Sequence, residues 1–270
     1  MTAFDPWPPV ALHADWGLDA ACLAVERRDA VVVVDALSFS TTVVMAAARG
    51  ADVLPLPRAI LDEAGDHTVI ERRFGAKLLA NDPVDRLLAD DLIELSDLRP
   101  GDRVVVPSQN GGTLCAAVSQ APAVAVGSFR NRAAVAEWCA MTIAAATARR
   151  VTLIAAGSVW SQMTPLTALR PCIEDGLAAG AIASAARALG LDLSVEAAAL
   201  ATLFDSAAER YDLETWLHQS VTGRWLASRG DSQAEIRDAV LVDHDDVVPA
   251  LAPDRFFRPH VIRRNFQCPT

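Results

Sequence analysis

The residues able to do chemistry in this chain collect just behind short apolar runs. Val31-Val32-Val33-Val34 leads into Asp35, with Ser38, Ser40, Thr41 and Thr42 close behind. Arg103-Val104-Val105-Val106-Pro107 leads into Ser108-Gln109-Asn110-Gly111-Gly112-Thr113, and Val151 to Ala156 into Gly157-Ser158. Ala239-Val240-Leu241-Val242 leads into Asp243-His244-Asp245-Asp246, and Glu174-Asp175-Gly176 precedes an Ala-rich stretch. Carboxylates in such places suit Mg²⁺, which takes hard oxygen ligands and keeps several waters. Hydroxyls and the N–H groups of a helix start suit a phosphate. A metal-activated water attacking phosphorus needs little more.

Each of these features also has a purely structural counterpart. An Asp that ends a buried strand caps the helix that follows. Asn-Gly-Gly forms an ordinary tight turn. Glu174 and Asp175 at a helix start stabilise the helix dipole with no ligand. Asp243 to Asp246 read as a solvated acidic loop, where a single His is weak evidence for a metal ligand. On the residues alone, the chain is an α/β domain with an anion site.

The positioning elements follow from the same pattern. Four consecutive valines read as a strand buried on both faces, and Val43 to Arg49 as a helix closed by Gly50. With a strand at 52–56, this gives an expected right-handed β-α-β unit of parallel strands. Further strands are expected at 22–25, 103–107, 124–126, 151–157 and 239–243. Helices are expected at 83–89, from 114, at 132–148 behind an Asn131 cap, at 176–189, and through most of 195–229 with Trp216 and Trp225 as packing anchors. Residues 1–20 read as an extended lead-in, Asn81-Asp82-Pro83 as a turn, and 60–76 give no clear pattern. If the strands are parallel neighbours, the loops behind them converge on one sheet edge, where ligands of open α/β sheets bind. No linker composition or repeat divides the chain, so one domain over 1–270 is expected.

Composition narrows the partners. The chain has 270 residues, 52% hydrophobic, with a formal net charge of −10. That balance argues against a nucleic-acid backbone or an anionic membrane, yet stays compatible with a phosphate substrate once a cation inverts the local field. No run is apolar enough to span a bilayer and the start lacks a signal peptide's pattern, so a cytoplasmic protein is expected. The five cysteines are scattered with no C-x-x-C pair, which reads as buried thiols. The tail, with Arg255, Phe256, Phe257, Arg258, Arg263 and Arg264, suits docking on an acidic body or a second subunit, and a homodimer is the expected assembly.

Taken in order, these stretches resemble the 2-phosphosulfolactate phosphatase family over roughly 30–255. The resemblance rests on Val33-Val34-Asp35-Ala36-Leu37 with Ser40-Thr41-Thr42, on Asn81-Asp82-Pro83, and on Asn110-Gly111-Gly112-Thr113. It continues through Gly127-Ser128-Phe129-Arg130-Asn131, Ala155-Ala156-Gly157, Glu174-Asp175-Gly176 to Ile182, and Asp243 with Val247-Val248-Pro249. It implies a three-layer α/β/α fold with a mostly parallel or mixed central sheet. It also implies a Mg²⁺-dependent phosphatase that cleaves 2-phosphosulfolactate to sulfolactate and phosphate, a step in coenzyme M biosynthesis. By position, Asp35, Glu174 and Asp175 are then the catalytic carboxylates, with Asp35, Glu174 and Asp243 as metal ligands. Ser38, Ser40, Thr41, Thr42, Asn110, Gly111 and Thr113 would bind the small phosphorylated substrate.

Three departures stand out. Ser38 occupies the position where the family usually carries Arg, and a hydroxyl cannot hold an anion bidentately as a guanidinium does. The family's Gly-Glu-Arg-Gly-like segment is reduced to Glu71-Arg72-Arg73-Phe74-Gly75, and the loop at 108–113 has an extra glycine. The rival reading is therefore a relative with a decayed site that binds a small anion or a partner protein. A nucleotide-binding domain has little support, since no G-x-G-x-x-G or G-x-x-x-x-G-K-[ST] follows a strand.

Overall fold

The computed structural model describes residues 9–79, 92–159, 168–228 and 232–262. In chain order its strands are β1 Leu12–Trp16, β2 Ala30–Val34, β3 Asp52–Pro57, β4 Lys77–Leu78, β5 Arg103–Ser108, β6 Val124–Val126, β7 Val151–Ala155, β8 Ser158–Val159, β9 Leu169–Arg170, β10 Val247–Leu251 and β11 Phe257–Val261. Nine of them form one mixed sheet in the order β1-β7-β2-β6-β10-β11-β3-β5-β4, and β8 and β9 form a separate antiparallel ribbon.

The valine run is the centre of one parallel set. β2 pairs with β6 on one side and β7 on the other, and β1 lies outside β7, all parallel. Because successive side chains point to opposite faces, β2 feeds two cores. Val32 and Val34 pack with Phe129, Val135, Leu177 and Ile182, under the helices Arg132–Ala144 and Ile173–Ala188. Val31 and Val33 pack with Ala21, Phe39, Val43 and Leu114, under the helices Gly17–Glu26, Phe39–Ala48 and Gly111–Ala117. Helix, sheet, helix is the layered α/β arrangement expected. Each buried Val contributes about 1.5–3 kcal/mol relative to an exposed one, so the strand is fixed before any site chemistry is considered.

The second parallel set, β3, β5 and β4, does not continue the first. The antiparallel β10–β11 hairpin stands between them, joined to β6 at Ala250 opposite Ala125 and to β3 at Phe257 opposite Val53. The expected β-α-β unit is thus corrected: β2 and β3 are not neighbours, and through the ladder they run in opposite senses. The helix Phe39–Ala48 packs beneath the hairpin, with Val44 and Ala47 against Val247. Right-handed twist of about 20–25° per step, over the five steps from β2 to β5, turns one set by more than about 100° relative to the other. That rotation lets the exits of the two counter-running sets meet.

Several local expectations also change. Cys22 to Val25 lie in the helix Gly17–Glu26 rather than a strand, because Ala20, Ala21 and Ala24 form a buried helical stripe; the first strand is β1. Residues 58–74 form two helices, Arg58–Ala64 and His67–Phe74, the second capped by the Asp66 carboxylate, which accepts from Thr68 N–H. Ala239 ends the helix Ser232–Ala239, and the strand lies further on, at β10. The helices Val195–Arg210, Leu213–His218 and Val221–Ser228 fill 195–228, with the Trp216 ring stacked on Tyr211 at 4.7 Å. The expected turn at 81–83, the helix at 83–89 and the tail beyond 262 lie outside the described residues. Among the described residues no helix is long and apolar enough to cross a membrane.

Candidate active site

Asp35 sits where β2 ends, and its backbone is tied on both sides. Its N–H donates to Ser40 Oγ at 2.8 Å, and its carbonyl accepts from Ser40 N–H at 2.7 Å. The buried carboxylate then faces the start of another helix: Oδ2 accepts from Gly111 N–H at 2.8 Å. The Ser108 hydroxyl bonds to the same carboxylate and also accepts from Gly111 N–H at 3.1 Å. Only glycine fits at 111, since a Cβ there would lie 2.0 Å from the Phe39 ring. The exits of β2 and β5 are therefore joined through one carboxylate.

Glu174 and Asp175 enter from the first turn of the helix Ile173–Ala188. Asp175 spans two strand exits. Its Oδ1 accepts from Ala36 N–H at 2.7 Å, behind β2, and its Oδ2 from Gly157 N–H at 2.9 Å, behind β7. Gly157 adopts φ +63°, and a Cβ there would lie 2.8 Å from the Arg170 carbonyl oxygen. Glu174 is 2% exposed, and its Oε2 has no hydrogen-bond partner among the described residues. A buried carboxylate oxygen without a donor is costly, by about 1–3 kcal/mol or more for a charged group.

In this dry neighbourhood the Glu174 charge opposes the ionisation of both Asp35 and Asp175. The Asp35 carboxyl is pushed up to about 7: burial raises it most, the Glu174 charge adds to this, and the Gly111 and Ser108 donors pull against both. Asp175 is raised well above the ordinary carboxylate range by burial first, then by the charges of Asp35 and Glu174. The Cys172 thiol is pushed up by burial and by Asp175 and Glu174, with Arg170 acting in the opposite sense, so a guanidinium shares this neighbourhood.

The hydroxyls expected to bind substrate have local partners. Thr41 Oγ1 donates to Ala36 O at 2.8 Å, Thr42 Oγ1 to Ser38 O at 3.1 Å, and Thr113 Oγ1 to Gln109 O at 2.6 Å. With Ser40 they brace the Asp35 loop and the two helix starts. Ser38 and Asn110 are half-buried and stand at the N-caps of the helices Phe39–Ala48 and Gly111–Ala117 without a side-chain capping bond.

Asp243 is differently employed. Its Oδ2 accepts from Arg132 Nε at 2.8 Å and its Oδ1 from Ala133 N–H at 2.8 Å, which makes it the cap of the helix Arg132–Ala144. The cap expected from Asn131 is corrected accordingly. Asn131 Oδ1 accepts from Ser128 N–H, and its Nδ2 donates to the carbonyls of Val126 and Val247, pinning β6 to β10.

Ser108 and Gly157, marked in the sequence by standing directly behind apolar runs, both reach the carboxylates. Arg170 carries no such signal, because its place depends on the β8–β9 ribbon.

Among the described residues, no three His, Cys, Asp or Glu side chains converge as a ready-made metal cage. Mg²⁺ rarely uses one, binding through one or two carboxylates with waters and substrate oxygens. The Glu174 oxygen that lacks a partner among the described residues, on a side chain whose charge acts on Asp35, fits such a cation.

The 2-phosphosulpholactate phosphatase family model matches residues 92–253, more than half of the chain. The chain belongs to that family. The match contains Ser108 to Thr113, Glu174 and Asp175; Asp35 lies before it and is attached to it by the bonds to Gly111 and Ser108. No curated protein matches the chain.

Proposed function

We propose that the chain is a Mg²⁺-dependent phosphoric monoester hydrolase that converts 2-phosphosulfolactate to sulfolactate and phosphate, in line with its family. The observation that carries this reading is the buried Asp35–Glu174–Asp175 cluster, with one Glu174 oxygen lacking a partner among the described residues. Asp35 and Glu174 would hold the cation, which when bound supplies a Lewis acid for the phosphoryl oxygens and an activated water. Asp175 keeps the Ala36 and Gly157 N–H groups at the rim of the site. Ser38 and Asn110, half-buried and without capping bonds, are the polar side chains proposed to meet the substrate.

The placement in coenzyme M biosynthesis follows from the family resemblance and belongs to the same proposal. A second reading, an anion-binding relative without turnover, is favoured by Ser38 in place of the family's Arg and by hydroxyls turned onto backbone carbonyls. Phosphate release from 2-phosphosulfolactate and a panel of small phosphate esters separates the two. Chelator-sensitive release supports the phosphatase. No release from any ester by folded protein supports the binding relative.

A further inference from the structure

The first parallel set has a second feature at its other end. The segments leading into β1, β2, β6 and β7 enclose a cavity of about 840 Å³. Asp29, one residue before β2, lines it, whereas Asp35 lies just past that strand's far end. At about 3.3 Å per residue, roughly 20 Å separates the two. The cavity is thus distinct from the carboxylate cluster.

Its chemistry is opposite in sign. Arg27, Arg28, Arg149 and Arg150 line it with only Asp29 and Asp192 against them, a local balance of +2 (four Arg less two Asp) in a chain of net charge −10. The arginines are not loosely placed. Asp29, 1% exposed, accepts from Arg27 Nε at 3.0 Å, from Arg150 Nε at 3.0 Å and from Thr152 Oγ1 at 2.9 Å. One buried carboxylate therefore sets the direction of two guanidinium groups, whose side chains are 13% and 18% exposed. Arg28 and Arg149 are exposed at the rim. Arg28 also sits at φ 59°, a conformation that Gly or Asn adopts more easily. Apolar Pro9, Val10 and Pro122 complete the wall.

We infer that this cavity is a binding site for a small phosphate-bearing polyanion. Guanidinium groups match phosphate oxygens bidentately and stay charged at every working pH. The volume falls in the range that takes a ligand of nucleotide size, about 300–1,000 Å³. Asp29 holds the inner pair, and Arg28 and Arg149 close over the outer anionic group.

The test is calorimetric titration of the full chain with inorganic pyrophosphate, in chelator and at low salt. Three proteins are compared: the unmodified chain, Arg28→Ala/Arg149→Ala, and Arg28→Lys/Arg149→Lys. The unmodified chain should bind with an affinity that falls as salt rises. The alanine pair should weaken binding by about tenfold or more, with Mg²⁺-dependent ester turnover unchanged, and the lysine pair should keep part of the affinity. Overturning results are no binding by the unmodified chain, or an alanine-pair variant of native stability that binds pyrophosphate equally well.

Discussion

Asp35→Asn gives the sharpest physical test of the carboxylate cluster, because it removes a charge while keeping the shape. In the folded chain the carboxyl is raised from 3.8 to about 7. Ionising it there costs about 4 kcal/mol more than in the unfolded chain, at about 1.4 kcal/mol per pKa unit. The sign follows from proton counting. Between about pH 4 and 7 the folded state holds a proton that the unfolded state has released. The contribution is therefore full below about pH 4 and is lost as pH rises through 7. An amide never bears the charge, although it weakens the bonds from Gly111 and Ser108 by about 1 kcal/mol each. Urea unfolding in chelator should then find Asp35→Asn more stable than the unmodified chain by about 1–3 kcal/mol at pH 8, with the gain gone or reversed at pH 4.5. Saturating Mg²⁺ should stabilise the unmodified chain and not the variant, because a ligand that binds only the folded state raises stability by mass action. An Asp35→Asn chain clearly less stable at pH 8 in chelator would refute the argument that the cluster is short of positive charge.

Other perturbations separate positioning from chemistry. Asp175→Asn leaves the Ala36 or Gly157 N–H without an acceptor; urea melts near pH 4, where relief of buried charge contributes little, should show a loss of about 1–3 kcal/mol, and kcat should fall while Mg²⁺ affinity changes less than it does in Glu174→Gln. Gly111→Ala drives a methyl into the Phe39 ring; a cost of about 1–3 kcal/mol and displacement of the Asp35 donor should appear together in thermal melts and turnover. Asp243→Ala removes a cap and an ion pair; stability should drop by about 1–2 kcal/mol, with Mg²⁺ affinity and kcat within about twofold of the unmodified chain. A large loss of Mg²⁺ affinity in Asp243→Ala would return that residue to the metal site.

What was legible in the sequence was local. The valine run predicts a strand buried on both faces, and β2 is that strand, with Asp35 at its exit as its position implies. Glu174 and Asp175 read as a helix start, and they are one. What could not be read was long-range. Nothing near residue 52 says that a hairpin from 247–261 will separate β3 from β2, because the single pairings that join it depend on the curl of the whole sheet. The hydroxyls of Thr41, Thr42 and Thr113 match a phosphate cradle by type, but a Thr near a helix start satisfies nearby carbonyls equally well. Asp243 and Asn131 show the same limit. Either can cap the helix at 132, and tertiary packing sends Asn131 to bridge β6 and β10 and leaves the cap to Asp243. Asp175, read as one carboxylate of an acidic pair, proves to be the clip between two strand exits.

The most direct test of the account is phosphate release from 2-phosphosulfolactate by the unmodified chain, Asp35→Asn and Glu174→Gln, each with Mg²⁺ and with chelator. The unmodified chain should release phosphate with Mg²⁺ and none with chelator, and both variants should lose at least about a hundredfold, on the scale of removing one group that stabilises transition-state charge. Equal release in chelator, or full Mg²⁺-dependent release by Glu174→Gln and Asp35→Asn, would contradict it.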